Sequence, residues 1–338
     1  MDGVERYTLY LKALFLNFAQ MEYSIIKGEW EIRMYGKIKT RPMKIAMFVL
    51  LLIFSPLLIS AQEAWLSTPE SINHFREQVE SIKPDTSKFD LLVSDRTIQL
   101  IGRDVDIRVY KPKETGLKPT LIYVHGACWV AGSLDSHDEI CRYLSRQSDV
   151  NVVAINYRLA PENKYPAAHN DVYDVIEWLW NHPNELGLDS GQFAIAGESA
   201  GAYFAAATTL KSRDAKDGPK FSFQLLVYAA LDGGGSSWTE CKNLYFNDDK
   251  DIRSEYGSPI WSEDLSNLPP TFNIYGQYEI SRAEEELFIR KLIDAKVYTK
   301  SYMNEGVGHD VVNWLSVQNE TPAHLKAIEF IKEGFQMK

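Results

Sequence analysis

The chain has 338 residues, of which 45% are hydrophobic and 24% are charged, an ordinary composition for a globular protein. Its 46 acidic and 36 basic residues give a net charge of -10, which argues against a protein that binds nucleic-acid phosphates. Three cysteines are too few for a disulfide framework, and 12% aromatic residues with long apolar runs exclude a mainly disordered chain. This composition predicts one large domain or two small ones around a sizeable core.

An apolar run over residues 45–59 stands out near the amino terminus. Four basic residues precede it closely, and the small residues Ser60 and Ala61 follow it. A basic start, a short apolar core and a small-residue exit are typical of a secretory signal peptide. The alternative, a membrane anchor, needs about 20 apolar residues, whereas this run is shorter and contains Pro56. We therefore expect cleavage after Ala61 and a secreted or periplasmic protein.

The position of this segment is unusual, because 42 residues precede Met43. We interpret residues 1–42 as the product of a start codon assigned too early, with Met43 as the true start. The signal peptide then occupies residues 43–61. The mature protein is predicted to be a single domain over residues 62–338.

Strand-like and helical patterns alternate through the mature chain. Strands are predicted, mostly from apolar and β-branched runs, at residues 96–101, 104–110, 121–124, 150–157, 193–196, 223–228, 271–275 and 299–302. Helices are predicted at residues 167–181, 202–210, 282–295 and 323–333. This alternation predicts an α/β fold with a mostly parallel central sheet and helices on both faces.

A nucleophile is predicted directly after the strand at residues 193–196. Residues 197–201 read G-E-S-A-G, a G-x-S-x-G motif that leads into a helical segment. Such a turn exposes the serine oxygen above the sheet, and the small residues Gly197 and Gly201 keep neighbouring groups from clashing. The context of strand, turn and helix predicts Ser199 as the nucleophile of a serine hydrolase.

Three motifs in this order resemble those of the hormone-sensitive-lipase-like family of α/β-hydrolases. Residues 125–129 read H-G-A-C-W where the family has H-G-G-G-W, and residues 157–162 carry its Y-R-L-A-P-E unaltered. The nucleophile motif has Glu198 where the family has Asp. The resemblance covers residues 119–338 and implies the α/β-hydrolase fold. It also implies a small cap, formed from two segments that break the alternation, residues 62–90 and 229–270.

The resemblance implies an oxyanion hole built from main-chain N–H groups. Its donors fall on Ala127, Cys128 and Ala200, and the motif residues His125 and Gly126 support the same loop. Alanine and cysteine keep the backbone donor, but a positive φ would cost them free energy that glycine avoids. We expect Cys128 and Cys141 to be reduced thiols, with a bond between the two as the alternative in an oxidising compartment.

The same resemblance implies an acid and a base after the nucleophile. The segment G-Q-Y-E-I-S-R stands where the family has G-x-x-D-P-L-R, so Glu279 resembles the acid, with nearby Glu284 as the alternative. His309 follows the last predicted strand and resembles the base. The remaining histidines precede the nucleophile or, like His74 and His324, look like helix-surface residues.

These residues predict a serine carboxylesterase for small acyl esters, esters on glycans included. Ser199 would attack the carbonyl, His309 would take its proton, and Glu279 would hold the imidazole. No metal or organic cofactor is expected, and the partner is a small molecule rather than a nucleic acid. Two alternatives stay open, an amidase or peptidase with the same triad and a catalytically impaired homologue that only binds ligands. The sequence leaves the oligomeric state open.

Overall fold

The computed structural model describes residues 66–337, apart from positions 83, 84, 115, 190 and 255. The predicted upstream segment (1–42) and signal peptide (43–61) lie outside the described residues. The strands are β1 (Leu91–Leu100), β2 (Arg103–Pro112), β3 (Thr120–Val124), β4 (Asn151–Asn156), β5 (Phe193–Glu198), β6 (Gln224–Val227), β7 (Thr271–Gly276) and β8 (Thr299–Asn304).

These strands form one sheet in the order β1-β2-β4-β3-β5-β6-β7-β8. Strands β1 and β2 form an antiparallel hairpin, and β2 also pairs with β4 in the antiparallel sense. All other neighbours in the sheet are parallel. The predicted α/β fold with a mostly parallel sheet is confirmed, and the carboxyl ends of β3 and of β5 to β8 meet at one edge.

Helices follow most of the parallel strands. They are α1 (Pro69–Glu80), α2 (Asp138–Ser148), α3 (Ala167–Asn181), α4 (Pro183–Leu186), α5 (Ala200–Asp214), α6 (Thr239–Tyr245), α7 (Asp249–Ile252), α8 (Arg282–Asp294), α9 (Val311–Leu315) and α10 (Pro322–Gln336). Short 3-10 turns occupy Thr86–Lys88 and Pro259–Trp261. Within the described ranges, no helix is both long and apolar enough to cross a bilayer.

The core lies on both faces of the sheet, which explains why the central strands are apolar almost throughout. Along β3, Ile122 and Val124 face one cluster, which they share with α3 and α5. Leu121 and Tyr123 point to the opposite cluster, which contains apolar residues of α2 and α10. Helix α2 is absent from the predicted elements, because its buried face also carries charged residues that obscure the apolar period.

The prediction that His324 lies on a helix surface is wrong. Its side chain is buried at the start of α10, where Nδ1 accepts the backbone N–H of Thr321 at 3.0 Å. Its Nε2 lies 2.8 Å from the carbonyl oxygen of Trp314, which makes Nε2–H the donor. His74 is exposed on α1, as predicted.

The two predicted cap segments contact each other near the amino terminus of the described chain. The N–H of Leu66 donates to the Glu240 carboxylate of α6 at 3.1 Å. Helix α1 is fastened by Arg76, which donates to the carbonyl oxygens of Val130 and Ala160 at 2.7 and 2.9 Å. The first of these segments therefore lies close to the loop that follows β3.

Candidate active site

Ser199 occupies the turn between β5 and α5 with φ 54° and ψ -119°. Its N–H donates to the carbonyl oxygen of Val227 at 2.9 Å. The flanking glycines are needed because the chain segments approach closely here. A Cβ on Gly197 would lie 2.4 Å from the backbone of Gly201, and a Cβ on Gly201 would lie 2.0 Å from the carbonyl oxygen of Val124. The tight turn thus holds the serine in a conformation that few side chains adopt freely.

The structure brings the predicted nucleophile, base and acid together. His309 Nε2 lies 3.0 Å from Ser199 Oγ, and His309 Nδ1 lies 2.9 Å from Glu279 Oε1. Glu279 follows β7 and His309 follows the neighbouring β8, so both reach the same edge of the sheet. A proton on Nδ1 bonded to the carboxylate leaves Nε2 free to accept the serine hydroxyl.

Glu284, the alternative acid, has a different contact. One of its carboxylate oxygens accepts the N–H of Asp232 at 3.3 Å. Glu279 is buried and also accepts the hydroxyl of Ser281 at 3.2 Å. The geometry therefore favours Glu279 over Glu284 as the partner of the imidazole.

A second buried carboxyl group, that of Glu285, lies near Glu279. Glu285 is fully buried on α8, and burial is the main cause that raises its pKa well above the usual value. The negative charge of Glu279 raises it further, and Glu284 adds to the same effect. Folding therefore favours the protonated form of Glu285 beside the carboxylate of Glu279.

Replacing Glu285 with glutamine should make stability less dependent on pH. A carboxyl whose pKa is raised by folding stabilises the protein below its unfolded pKa, and this contribution is lost as pH rises towards the folded pKa. Glutamine does not titrate. As pH rises, the unfolding free energy of Glu285→Gln should therefore increase relative to that of the wild type by up to about 1.4 kcal/mol per pH unit. Urea unfolding between about pH 5 and about pH 8 measures this gain. A difference that stays constant across the range would contradict the assignment.

The loop after β3 has an unusual backbone. Ala127, Cys128 and Trp129 have φ values of 75°, 59° and 61°, all in the left-handed region. Residues with a side chain rarely adopt this region, so neighbouring contacts must hold the loop. Trp129 supplies one of them, because its ring is buried and stacks on Tyr245 at 5.4 Å between centroids.

The expectation that Cys128 is a reduced thiol is wrong. Its sulfur is bonded to that of Cys241 in α6, and the two Cα atoms are 5.1 Å apart, an ordinary separation for a disulfide. Cys141 is a free thiol, as expected, and its side chain is buried. The sequence could not reveal the pair, because the partner lies 113 residues along the chain, in an insertion without a regular pattern.

Glu198 connects the nucleophile turn to the same loop. Its buried carboxylate accepts the N–H of Gly126 and the hydroxyl of Tyr123, and it lies 2.8 Å from His137 Nε2. The indole N–H of Trp314 donates to the Tyr123 hydroxyl at 2.9 Å. Because His137 precedes the nucleophile in the chain, the sequence gives no sign of this supporting contact.

His125 packs beneath the loop. Its ring stacks on that of Tyr157 at 4.1 Å between centroids, and the Tyr157 hydroxyl donates to the His125 carbonyl oxygen at 2.8 Å. Burial, together with nearby His137, lowers the pKa of His125 to about 3. The imidazole is therefore neutral at physiological pH and supports the loop as a packed ring rather than as an acid or base.

Comparison with known proteins agrees with this architecture. A profile described as the alpha/beta hydrolase fold matches residues 121–313, more than half of the chain. The chain belongs to the α/β-hydrolase family. The resemblance to the hormone-sensitive-lipase-like branch and the predicted fold are both confirmed.

Several relatives of this family member are esterases. An arylesterase of Saccharolobus solfataricus is 31% identical over 230 residues, covering 64% of this chain and 75% of the relative. Esterase LipI of Mycobacterium tuberculosis is 35% identical over 272 residues, covering 75% and 85%. The solved structure of a hyperthermophilic esterase from Pyrobaculum calidifontis superposes with a TM-score of 0.72 at 33% identity, covering 78% of this chain and 93% of that one. This α/β-hydrolase acts on ester bonds.

Proposed function

We propose that this α/β-hydrolase is a serine carboxylesterase that forms an acyl-enzyme on Ser199. One observation carries the proposal, the continuous hydrogen-bonded row from Ser199 through His309 to Glu279. A hydroxyl bonded to an imidazole, which is bonded in turn to a buried carboxylate, is the arrangement that activates serine towards a carbonyl carbon.

The proposed reaction begins when His309 Nε2 takes the proton of Ser199 and the serine oxygen attacks the ester carbonyl. The N–H groups of Ala127, Cys128 and Ala200 stabilise the negative charge that develops on the carbonyl oxygen. His309 then gives its proton to the leaving alcohol. Water attacks the acyl-enzyme by the same route and releases the carboxylic acid.

Aromatic side chains pack against the base. The indole ring of Trp238 lies 4.4 Å from the ring of His309, and Tyr228 approaches the same imidazole at 6.0 Å between centroids. Bulky rings packed against the base support a preference for small acyl groups. We therefore propose acetyl-sized substrates, with acetyl esters on glycans as one class.

The proposed site of action is outside the cytoplasm. Residues 43–61 have the pattern of a cleaved signal peptide, and this segment lies outside the described residues. The disulfide between Cys128 and Cys241 supports the same location, because such bonds persist in oxidising compartments.

The test is turnover of p-nitrophenyl acetate, butyrate and octanoate by the purified protein, beside an acetylated oligosaccharide and p-nitroacetanilide. We expect kcat/KM for the acetate ester to exceed that for the octanoate ester by about tenfold or more. Each methylene that the site does not accommodate weakens transition-state binding by about 1–3 kcal/mol. Faster turnover of the anilide than of the acetate ester would favour an amidase. A folded protein that neither turns over any ester nor reacts with a fluorophosphonate would favour the ligand-binding homologue.

A further inference from the structure

Helix α6 clamps the oxyanion loop in two ways. Cys241 binds it covalently through the disulfide to Cys128. One turn further along α6, the ring of Tyr245 lies nearly parallel to that of Trp129, with 9° between the ring planes. Helix α6, which belongs to the insertion after β6, therefore anchors both Cys128 and Trp129 of the loop.

The same segment also contacts the base. Trp238 directly precedes α6 and packs on the imidazole of His309 at 4.4 Å between ring centroids. The insertion thus touches both the predicted proton acceptor and the predicted oxyanion donors.

The loop needs such a clamp because its backbone is unfavourable for the residues it contains. Ala127, Cys128 and Trp129 are consecutive and all have positive φ. Glycine would adopt this conformation without a steric cost, whereas alanine and cysteine tend to leave it. Relaxation at Cys128 would turn its N–H away from the position that the developing oxyanion occupies.

We propose that Cys241 is a positioning residue for the reaction. Its disulfide bond to Cys128 holds the loop backbone in the positive-φ conformation that presents the oxyanion N–H groups. The enzyme therefore reaches full activity only when Cys128 and Cys241 are joined as a disulfide. The inference rests on the proposed function, since it concerns the same oxyanion hole. A dithiol would reverse the effect. It supplies two electrons and two protons, the S–S bond becomes two thiols, and the dithiol becomes a cyclic disulfide.

A matched pair of double variants tests the proposal. The alanine pair is Cys128→Ala with Cys241→Ala, and the glycine pair is Cys128→Gly with Cys241→Ala. Neither pair can form the disulfide, but only glycine at position 128 adopts the positive φ freely. We expect the alanine pair to lose about 10- to 100-fold in kcat, with KM little changed, because a displaced donor weakens the oxyanion hole. The glycine pair should recover most of that loss. Melting temperatures of both variants record the purely structural contribution of the bond.

Two outcomes would overturn the proposal. If the alanine pair turns over at the wild-type rate, the bond does not position the loop. If both pairs lose kcat equally, the loss does not come from the backbone at Cys128. An oxidised wild type without any esterase activity would count against the proposed function instead, so the two failures are distinguishable.

Reduction of the wild type gives an independent measurement. Dithiothreitol should lower kcat about as much as in the alanine pair, and re-oxidation should restore it. Thiol titration in denaturant should find all 3 cysteines after reduction. A Cys141→Ala variant is the control, because Cys141 is free and should leave the response to dithiothreitol unchanged. A reduced wild type that keeps its full kcat would overturn the proposal.

Discussion

Replacing Ser199 with alanine should lower kcat by about 10⁵-fold or more, with little change in KM. The variant keeps the oxyanion N–H groups and the base, but no oxygen remains where His309 Nε2 accepts the hydroxyl at 3.0 Å. The remaining activity should be the modest acceleration that binding and the oxyanion hole provide without a nucleophile. Steady-state kinetics with p-nitrophenyl acetate measures the loss.

Labelling with a fluorophosphonate checks the same residue by mass. The wild type should gain one phosphonyl group, and Ser199→Ala should gain none. Ser236→Ala is a suitable control, because Ser236 is exposed in the insertion and should label and turn over like the wild type. Labelling of Ser199→Ala at the wild-type rate would place the nucleophile elsewhere.

The second large effect is expected for Glu279→Gln, with a loss of about 10⁴-fold in kcat/KM. The carboxylate holds the proton of His309 on Nδ1, 2.9 Å away. The amide nitrogen of glutamine can donate to Nδ1 and so favour the tautomer with its proton on Nε2, which cannot accept the serine proton. The carboxylate also stabilises the imidazolium that forms during attack, and glutamine carries no charge to do so.

Glu284→Gln is the matched control for this substitution. Glu284 lies in the first turn of α8, shortly after Glu279, and its carboxylate accepts the N–H of Asp232 instead of contacting the imidazole. We expect a loss below about tenfold, in line with a residue outside the hydrogen-bonded row. If Glu284→Gln loses more activity than Glu279→Gln, the acid has been assigned to the wrong residue.

Much of the site could be predicted because parallel strands end at one edge of the sheet. Ser199 follows β5 directly, and Glu279 and His309 lie in the loops that follow β7 and β8, so their order along the chain and their positions after strands predicted that they meet. The choice between Glu279 and Glu284 needed the structure. Both residues stand near the start of α8, and only the direction of each side chain separates them.

Contacts between distant, irregular segments could not be predicted. The partner of Cys128 is in α6, a short helix of the insertion, and no local pattern indicates where that helix lies. His324 was misassigned for a related reason. Its burial depends on Trp314 of the preceding helix α9, whose ring stacks on that of His324 at 5.2 Å between centroids.

The carboxylate of Glu198 couples the oxyanion loop, residues 125–132, to the nucleophile turn, so the two segments can be exchanged between relatives only together. Glu198 directly precedes Ser199 in the chain, and its carboxylate accepts the N–H of Gly126. The side chain at position 198 therefore acts as a spacer whose length must suit the loop above it. A chimera that received residues 125–132 from a relative with aspartate at this position would have a loop fitted to a shorter spacer. Such grafts should carry both segments together.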